Sequence, residues 1–362
     1  MNTNTDKQNP PPHGGDIYET LLSGKPAPLD FSANISPLGL PEGIRQALAE
    51  RADEFDRYPD PNCRELTSAL SKKHGMIGKK IVCGAGSADL IFRAALALSP
   101  KFALVAAPSF SEYGKAAAEA GATVYNYPLL HPSFAVTERI SIFVRKVDVV
   151  FLCNPNNPTG ILTSRDTISQ ILRICESSNT TLVIDECFMD LVDNPKTYTA
   201  EPLLATHKNL IILKAFTKTW AMAGLRLGYA LCGSEETARK IRESGPPWSV
   251  SVPAQIAGIQ ALKEDDYYVK LKKLIKDERK KLKDGLVYVG AEVLGSSANF
   301  IFFRMAGKAA GRDLAGELAE RGILIRDCSN FNGLEDGTYY RVAVLRPDDN
   351  ARLLFELRTM LL

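Results

Sequence analysis

Between residues 80 and 232 short apolar runs alternate with amphipathic segments of helical period, and this rhythm constrains the fold more than any other feature. Strands are predicted at Lys80–Cys83, Phe102–Ala106, Thr123–Pro128, Val147–Cys153, Thr181–Ile184, Asn209–Leu213 and Leu225–Cys232. Helices are predicted between them at Ala88–Leu98, Ser111–Ala120, Val136–Arg145 and Ser164–Cys175. The run Leu210–Leu213 is apolar throughout, as in a strand buried on both faces. Strands alternating with helices give an α/β unit with a mostly parallel sheet. Such sheets collect ligands at the carboxyl ends of their strands.

Beyond Ser234 the pattern changes. Helices are predicted at Glu235–Glu243, Val252–Lys263 and Asp266–Lys283, then strands near Asn299–Arg304, Ile323–Arg326 and Tyr339–Leu345. Two further helices fall near Gly311–Glu320 and Asn350–Met360. Toward the N-terminus, Pro41–Arg51 and Arg64–His74 read as helices, and residues 1–12, polar and proline-rich, as disordered. The chain of 362 residues is long enough for a large core and a smaller second one. A large domain is expected over 46–250, and a smaller α+β domain from 1–45 together with 251–362.

Composition removes several function classes. A net charge of +2 gives no general attraction to nucleic acid or membrane. The basic run Lys270–Lys283 carries Leu271, Leu274, Ile275 and Leu282 at helical spacing, so it reads as a solvated helix face. No window approaches the roughly 18 apolar residues of a membrane span, and no signal peptide is read at the N-terminus. Seven cysteines without a C-x-x-C pair suit free thiols in a reducing, cytoplasmic setting, and four scattered histidines argue against a metal site.

Chemistry-bearing residues gather at the predicted strand ends. Lys218 follows the strand ending at Leu213, with Thr217 before it and Arg226 eight residues beyond. A lysine there either snorkels to water or is held to react, since desolvation or a nearby cation frees its amine for a Schiff base. Gly84-Ala85-Gly86-Ser87-Ala88-Asp89 joins a strand to a helix. It reads as a helix capped by Ser87 or as a phosphate site at a helix N-terminus. Asn154-Pro155-Asn156-Asn157-Pro158-Thr159-Gly160 is a loop fixed by two prolines. Asp185 and Glu186 end a buried strand and need partners, a helix amide, an arginine or a cationic ligand. Phe110 by itself reads as core, and Arg341 as an ion-paired strand arginine. His13-Gly14-Gly15 is a turn or a backbone approach to a ligand.

These segments resemble those of the fold-type I pyridoxal-phosphate enzymes, the aspartate aminotransferase superfamily. Asn154–Gly160 is similar to the family's NPxNPTG segment, and Lys214–Tyr229 to its cofactor-lysine segment. The resemblance runs from His13 to the C-terminus. It implies a large α/β domain with a mostly parallel sheet of the seven-stranded type, flanked by helices, and a smaller α+β domain. It implies pyridoxal 5'-phosphate as cofactor, with Lys218 and Asp185 catalytic. Asp185 would face the ring nitrogen, Asn157 the phenolic oxygen and Phe110 the ring. Gly86, Ser87, Ala88, Thr217 and Arg226 would hold the phosphate, together with Tyr58 from the other subunit of a homodimer. The sequence departs from the family at Ala215, where a hydroxyl is usual, and at Phe188, where aspartate aminotransferases carry a tyrosine.

Within the superfamily the flanking motifs resemble the threonine-phosphate decarboxylases of cobamide biosynthesis more than the histidinol-phosphate aminotransferases. They are His13-Gly14-Gly15, Phe31–Ile35, Arg57–Asp60, Pro247–Val250 and Tyr339–Ala343. The resemblance implies decarboxylation of L-threonine O-3-phosphate or L-serine O-phosphate to the aminoalkyl phosphate of the cobamide nucleotide loop. Arg341 would hold the substrate carboxylate, and His13, Asn34 and Arg326, beside Asn157, would complete the substrate site. Histidinol-phosphate transamination is the alternative, and a cofactor-fold regulator without turnover is the alternative of another class. No DNA-binding helix pair precedes His13, and Lys218 and Asp185 are both present, against the regulator.

Overall fold

The computed structural model of the chain describes residues 13–22, 24, 26–307 and 310–362. The disorder expected of residues 1–12 lies outside them. In chain order the strands are β1 (Leu29–Asp30), β2 (Ile81–Gly84), β3 (Phe102–Ala107), β4 (Thr123–Pro128), β5 (Val149–Cys153), β6 (Thr181–Asp185) and β7 (Leu210–Ala215). After them come β8 (Gly228–Cys232), β9 (Ala291–Gly295), β10 (Phe300–Met305), β11 (Ile323–Leu324), β12 (Arg326–Asp327) and β13 (Tyr339–Ala343).

Seven of these form one sheet in the order β2-β8-β7-β6-β5-β3-β4. Its described pairs are parallel except those made by β8, which runs antiparallel to both β2 and β7. The fold is therefore α/β with the expected mostly parallel sheet of seven strands. Side chains of a strand alternate between faces. Val150, Leu152, Ile184 and Ile212 enter one core, and Val149, Phe151, Val183 and Leu213 the other. Helices cover both cores, which is why these strands are apolar throughout. A second, antiparallel sheet has the order β12-β13-β10-β9, packed beneath the long helix Asp265–Tyr288. β1 pairs in parallel with β11, joining the two ends of the chain.

Several elements differ from expectation. The strand predicted at Leu225–Cys232 begins only at Gly228, because Ala221 and Arg226 are both left-handed and the N–H groups of Leu225 and Arg226 turn back to Met222 O. The helix predicted at Val136–Arg145 shrinks to a 3-10 turn, Glu138–Ile140, and one α-turn, Ser141–Val144. Thr137 stays extended with its hydroxyl 3.2 Å from the Tyr127 OH. Ile323–Arg326 breaks at Ile325 into two short strands in different sheets. Ser87 is the first helical residue and not the cap; Gly86 is the cap residue, and Asp89 reaches back to accept from Ala85 N at 2.8 Å. The two-residue β1 exists only through pairing with a distant strand, β11, and β9, which no prediction covered, pairs with its neighbour in sequence, β10.

The seven cysteines are all free, as expected. The lysines 270, 273, 276, 280, 281 and 283 are exposed on the long helix, while Leu271, Ile275 and Leu282 are buried. No helix among the described residues is long and apolar enough to cross a membrane.

Candidate active site

A cavity of about 800 Å³ opens at the carboxyl ends of the parallel strands and reaches the antiparallel sheet. Its walls include His13, Asn34, Ser87, Ala88, Phe110, Asn157, Asp185, Thr217, Lys218, Arg226, Arg326 and Arg341. The structure thus brings together residues that the sequence places up to 328 positions apart (His13 to Arg341). Gly86 forms the turn at its edge. Tyr58 does not line it. That side chain is 80% exposed, stacks on Trp248 at 4.8 Å and borders a separate, smaller depression with Arg57 and Asp60.

Asp185 is the last residue of β6, paired in register with Cys153 and Leu213. It is buried, and a buried carboxylate needs donors. Tyr113 OH donates to its Oδ2 at 2.7 Å and Cys187 N to its Oδ1 at 2.9 Å. Burial, and then the charge of Asp185, push the Tyr113 phenol well up, so the phenol keeps its proton and donates. Tyr113 is held by Phe151, whose ring lies nearly parallel at 5.8 Å, and by the edge of Phe110 at 5.7 Å. The sequence reading did not single out Tyr113. Its place in the first turn of the helix that follows Phe110 was the available signal.

Lys218 lies in the short helix Phe216–Thr219 that follows β7, rather than in an open loop. Its carbonyl accepts from Ser36 N at 2.9 Å, and its Nζ sits 5.6 Å from the centre of the Phe188 ring. Burial and the nearby charges of Arg341 and Arg226 bring its amine down to about 8. A substantial fraction of neutral, nucleophilic amine is therefore present near neutral pH.

On the opposite wall, β13 and β12 place Arg341 and Arg326 directly across from one another. Both are buried. Arg341 donates from Nη1 to Asn157 Oδ1 and from Nη2 to Ser32 O (2.7 Å), lies over the Phe300 ring, and keeps a buried Nε without a partner. Burial lowers its guanidinium to about 10. Because Arg341 occupies the oxygen of Asn157, that amide has its NH2 to offer a ligand. Arg326 donates to Asn330 Oδ1 at 2.6 Å and lies over Phe331. Asn34 is buried with its Oδ1 unpartnered. His13 is half exposed, 3.1 Å from Glu112 and tilted against Phe110.

These residues fit pyridoxal 5'-phosphate. The cradle is made by Gly86, whose φ is +90°; a Cβ there would lie 2.7 Å from Arg226 Nη2. That gap, the helix N-terminus at Ser87 and Ala88, and the Arg226 guanidinium together suit a phosphate. Thr217 is buried beside them at the cavity wall. A carboxylate for a ring nitrogen (Asp185), an amide donor (Asn157), an aromatic face (Phe110) and a low-pKa amine (Lys218) line the same space.

Behind the site lies a second charged cluster. Glu186 and Lys214 point to the sheet face opposite Asp185 and Leu213. Lys214 Nζ is 3.1 Å from Glu186 and 2.7 Å from Glu201, and is 2% exposed. Burial opposes its charge, but the carboxylates of Glu186, Asp190 and Glu201 outweigh burial and raise it well above the ordinary lysine value. Glu201 also meets His74 at 2.9 Å, and His74 meets the Tyr229 OH at 3.0 Å. The partners of Glu186 are thus this lysine, the Thr199 hydroxyl and the Ala200 amide, and not an arginine. Lys214 was not singled out from the sequence, although a lysine between Leu213 and Ala215 in a buried run was a signal.

The family model for aminotransferase class I and II matches residues 26–356. The chain is 35% identical over 355 residues to a threonine-phosphate decarboxylase of Salmonella typhimurium, covering 96% of each chain. It superimposes on the histidinol-phosphate aminotransferase of Clostridium acetobutylicum with a TM-score of 0.86 at 30% identity, covering 92% of this chain and 98% of that one. With the L-threonine-O-3-phosphate decarboxylase of Porphyromonas gingivalis the TM-score is 0.80 at 27% identity, covering 92% and 99%.

Proposed function

The chain belongs to the aminotransferase class I and II family, and we propose that its reaction is the decarboxylation of L-threonine O-3-phosphate. Its cofactor is pyridoxal 5'-phosphate. The observation that carries the proposal is the cross-strand pair Arg326 and Arg341 on the cavity wall. Like charges directly opposite in a ladder are destabilising, and buried ones more so. Two anions on one ligand offset that cost. An amino acid phosphate brings both, a carboxylate and a phosphate. In histidinol-phosphate transamination the phosphorylated donor brings only one of them, and its 2-oxoglutarate acceptor brings two carboxylates and no phosphate.

In this reading Arg341 forks onto the substrate carboxylate and Arg326, His13 and Asn34 take the phosphate. Thr217, Arg226, Gly86, Ser87 and Ala88 hold the cofactor phosphate, Asn157 offers its NH2, and Phe110 covers the ring. When bound, the cofactor supplies a cationic ring that accepts the electron pair left at Cα when carbon dioxide departs. Asp185 would face the nitrogen of that ring, and the Tyr113 hydroxyl holds Asp185 in place. Lys218 Nζ then delivers a proton to Cα, giving 1-aminopropan-2-yl phosphate. Whether carboxylate or hydrogen leaves depends on which Cα bond the two arginines hold toward the ring face.

The same proposal includes a homodimer in which Tyr58 reaches the partner's cofactor phosphate, supported by its 80% exposure and its fixed stack on Trp248. It also includes the division into a unit of 46–250 and one of 1–45 with 251–362. The seven-stranded sheet spans 81–232, and the antiparallel sheet together with the β1–β11 pair lies outside those limits.

The test is to incubate the holoprotein with L-threonine O-3-phosphate, without a keto acid, and to measure carbon dioxide. Release that is lost in Lys218→Ala supports the proposal. Absence of release, with amino transfer from histidinol phosphate to 2-oxoglutarate, would replace it by the aminotransferase reading. Absence of both would leave a binding protein.

A further inference from the structure

Ser32 lies between Arg341 and the segment that carries His13, touching the arginine and Gly15. Its carbonyl accepts from Arg341 Nη2 at 2.7 Å. Its hydroxyl accepts from Gly15 N at 2.8 Å, and the same hydroxyl donates to Asp30 Oδ1 at 2.6 Å. Asp30 Oδ1 also accepts from Ser32 N at 2.8 Å, so the residue is held from three sides and is 6% exposed. Phe31 N and O are tied to Leu324 O and Ala343 N, at 2.8 Å each, which fixes Ser32 to β11, two residues before Arg326, and to β13, which carries Arg341.

The segment His13–Gly15 lies across Ser32 from outside. A Cβ on Gly14 would fall 2.2 Å from Ser32 O and 3.0 Å from its hydroxyl. Only glycine permits that approach, so the missing side chain at 14 serves a contact within the chain and not a contact with ligand. The imidazole of His13 is thereby delivered to the cavity wall beside Phe110.

We propose that Ser32 is a positioning residue that sets the distance between the two anion-binding ends, Arg341 and His13, and so selects amino acids whose carboxylate and phosphate are a fixed number of bonds apart. The inference rests on the proposed function above, which assigns the carboxylate to Arg341 and the phosphate to His13 together with Arg326 and Asn34. Ser32 touches no ligand itself. It holds the arginine through its carbonyl and the histidine strap through its hydroxyl. Displacing either contact changes the span without removing a charge. A rigid two-point site discriminates against a ligand one methylene too long, and a loosened one does not.

The experiment compares holoprotein of wild type, Ser32→Ala and Gly14→Ala with O-phospho-L-threonine, O-phospho-L-homoserine (one methylene longer) and L-threonine. Dissociation constants come from the change in visible absorption on ligand addition, beside kcat, KM and melting temperature. The wild type is expected to prefer the threonine phosphate over the homoserine phosphate by about tenfold or more. Both variants are expected to bring that ratio toward one, through KM and the dissociation constant, with the melting temperature little changed. Ratios equal to wild type, or a parallel loss for all three ligands, overturn the inference. A wild type that binds L-threonine as tightly as its phosphate overturns the proposed function first, and is told apart because it appears before any substitution.

Discussion

Arg326 and Arg341 face one another across the β12–β13 ladder, both buried and both on the wall of the same cavity. Arg341 donates to two neutral acceptors, Asn157 and the Ser32 carbonyl, and Arg326 has Asn330 among its partners. Neutral acceptors orient a cation without cancelling it, so Arg341 remains electrostatically suited to an anion.

Replacing either arginine by lysine keeps the charge and removes the planar fork. Arg341→Lys is expected to weaken substrate by about 1.5–3 kcal/mol, the value of a charge-assisted hydrogen bond. It should do so equally for L-threonine and its phosphate. Arg326→Lys is expected to weaken only the phosphate. Dissociation constants for the two ligands with each variant check this, and identical profiles for the two variants would refute the division of labour.

Cofactor capture by the apoprotein should depend on pH through Lys218. Its amine titrates near 8, below the ordinary lysine value, because of burial and then Arg341. The neutral, reactive form therefore grows as pH rises, and the capture rate should rise with a midpoint near that value. Arg341→Met removes one of the cations that lower it, so the midpoint should move upward. Stopped-flow absorption between neutral and alkaline pH reads both.

Tyr113→Phe removes the donor to Asp185 Oδ2 and leaves the ring packing intact. The loss of a hydrogen bond to a buried charge costs about 1.5–3 kcal/mol. It is expected to appear as a raised dissociation constant for pyridoxal phosphate. A changed melting temperature of the apoprotein with unchanged cofactor affinity would show that Tyr113 acts only in packing.

Lys214→Met should be severe. It strands the fully buried Glu186 without its cation and leaves Glu201 to His74. Breaking a buried pair by removing one partner costs about 3–5 kcal/mol. Denaturant unfolding should show that loss, and Lys214→Arg should recover most of it. Stability close to wild type in Lys214→Met would mean that the two acids take up protons freely there.

What the sequence determined by itself is whatever contiguous residues encode. The alternation of apolar runs and helical periods carried the seven-stranded sheet, since strand and helix periods are written in neighbouring residues. The strand ends carried the positions of Asp185, Asn157 and Lys218. What only the tertiary structure decided depends on register and on distant pairing. A one-residue slip would separate Arg326 from Arg341, and no local pattern fixes that register. Asp185 and Glu186 are neighbours in sequence, yet one meets Tyr113 in the cavity and the other meets Lys214 on the far face. The pleat sends them apart, and only the helices packed on each side supply their different partners. The two-residue strand β1 is too short to be read locally and forms because the distant β11 is there to receive it. The turn at Ala221–Arg226 overrode an apparent strand because two left-handed residues and the close approach of Arg226 to Gly86 fold the segment toward the cavity. Strand propensity is an average over contexts, and here a contact across 140 residues outweighed it.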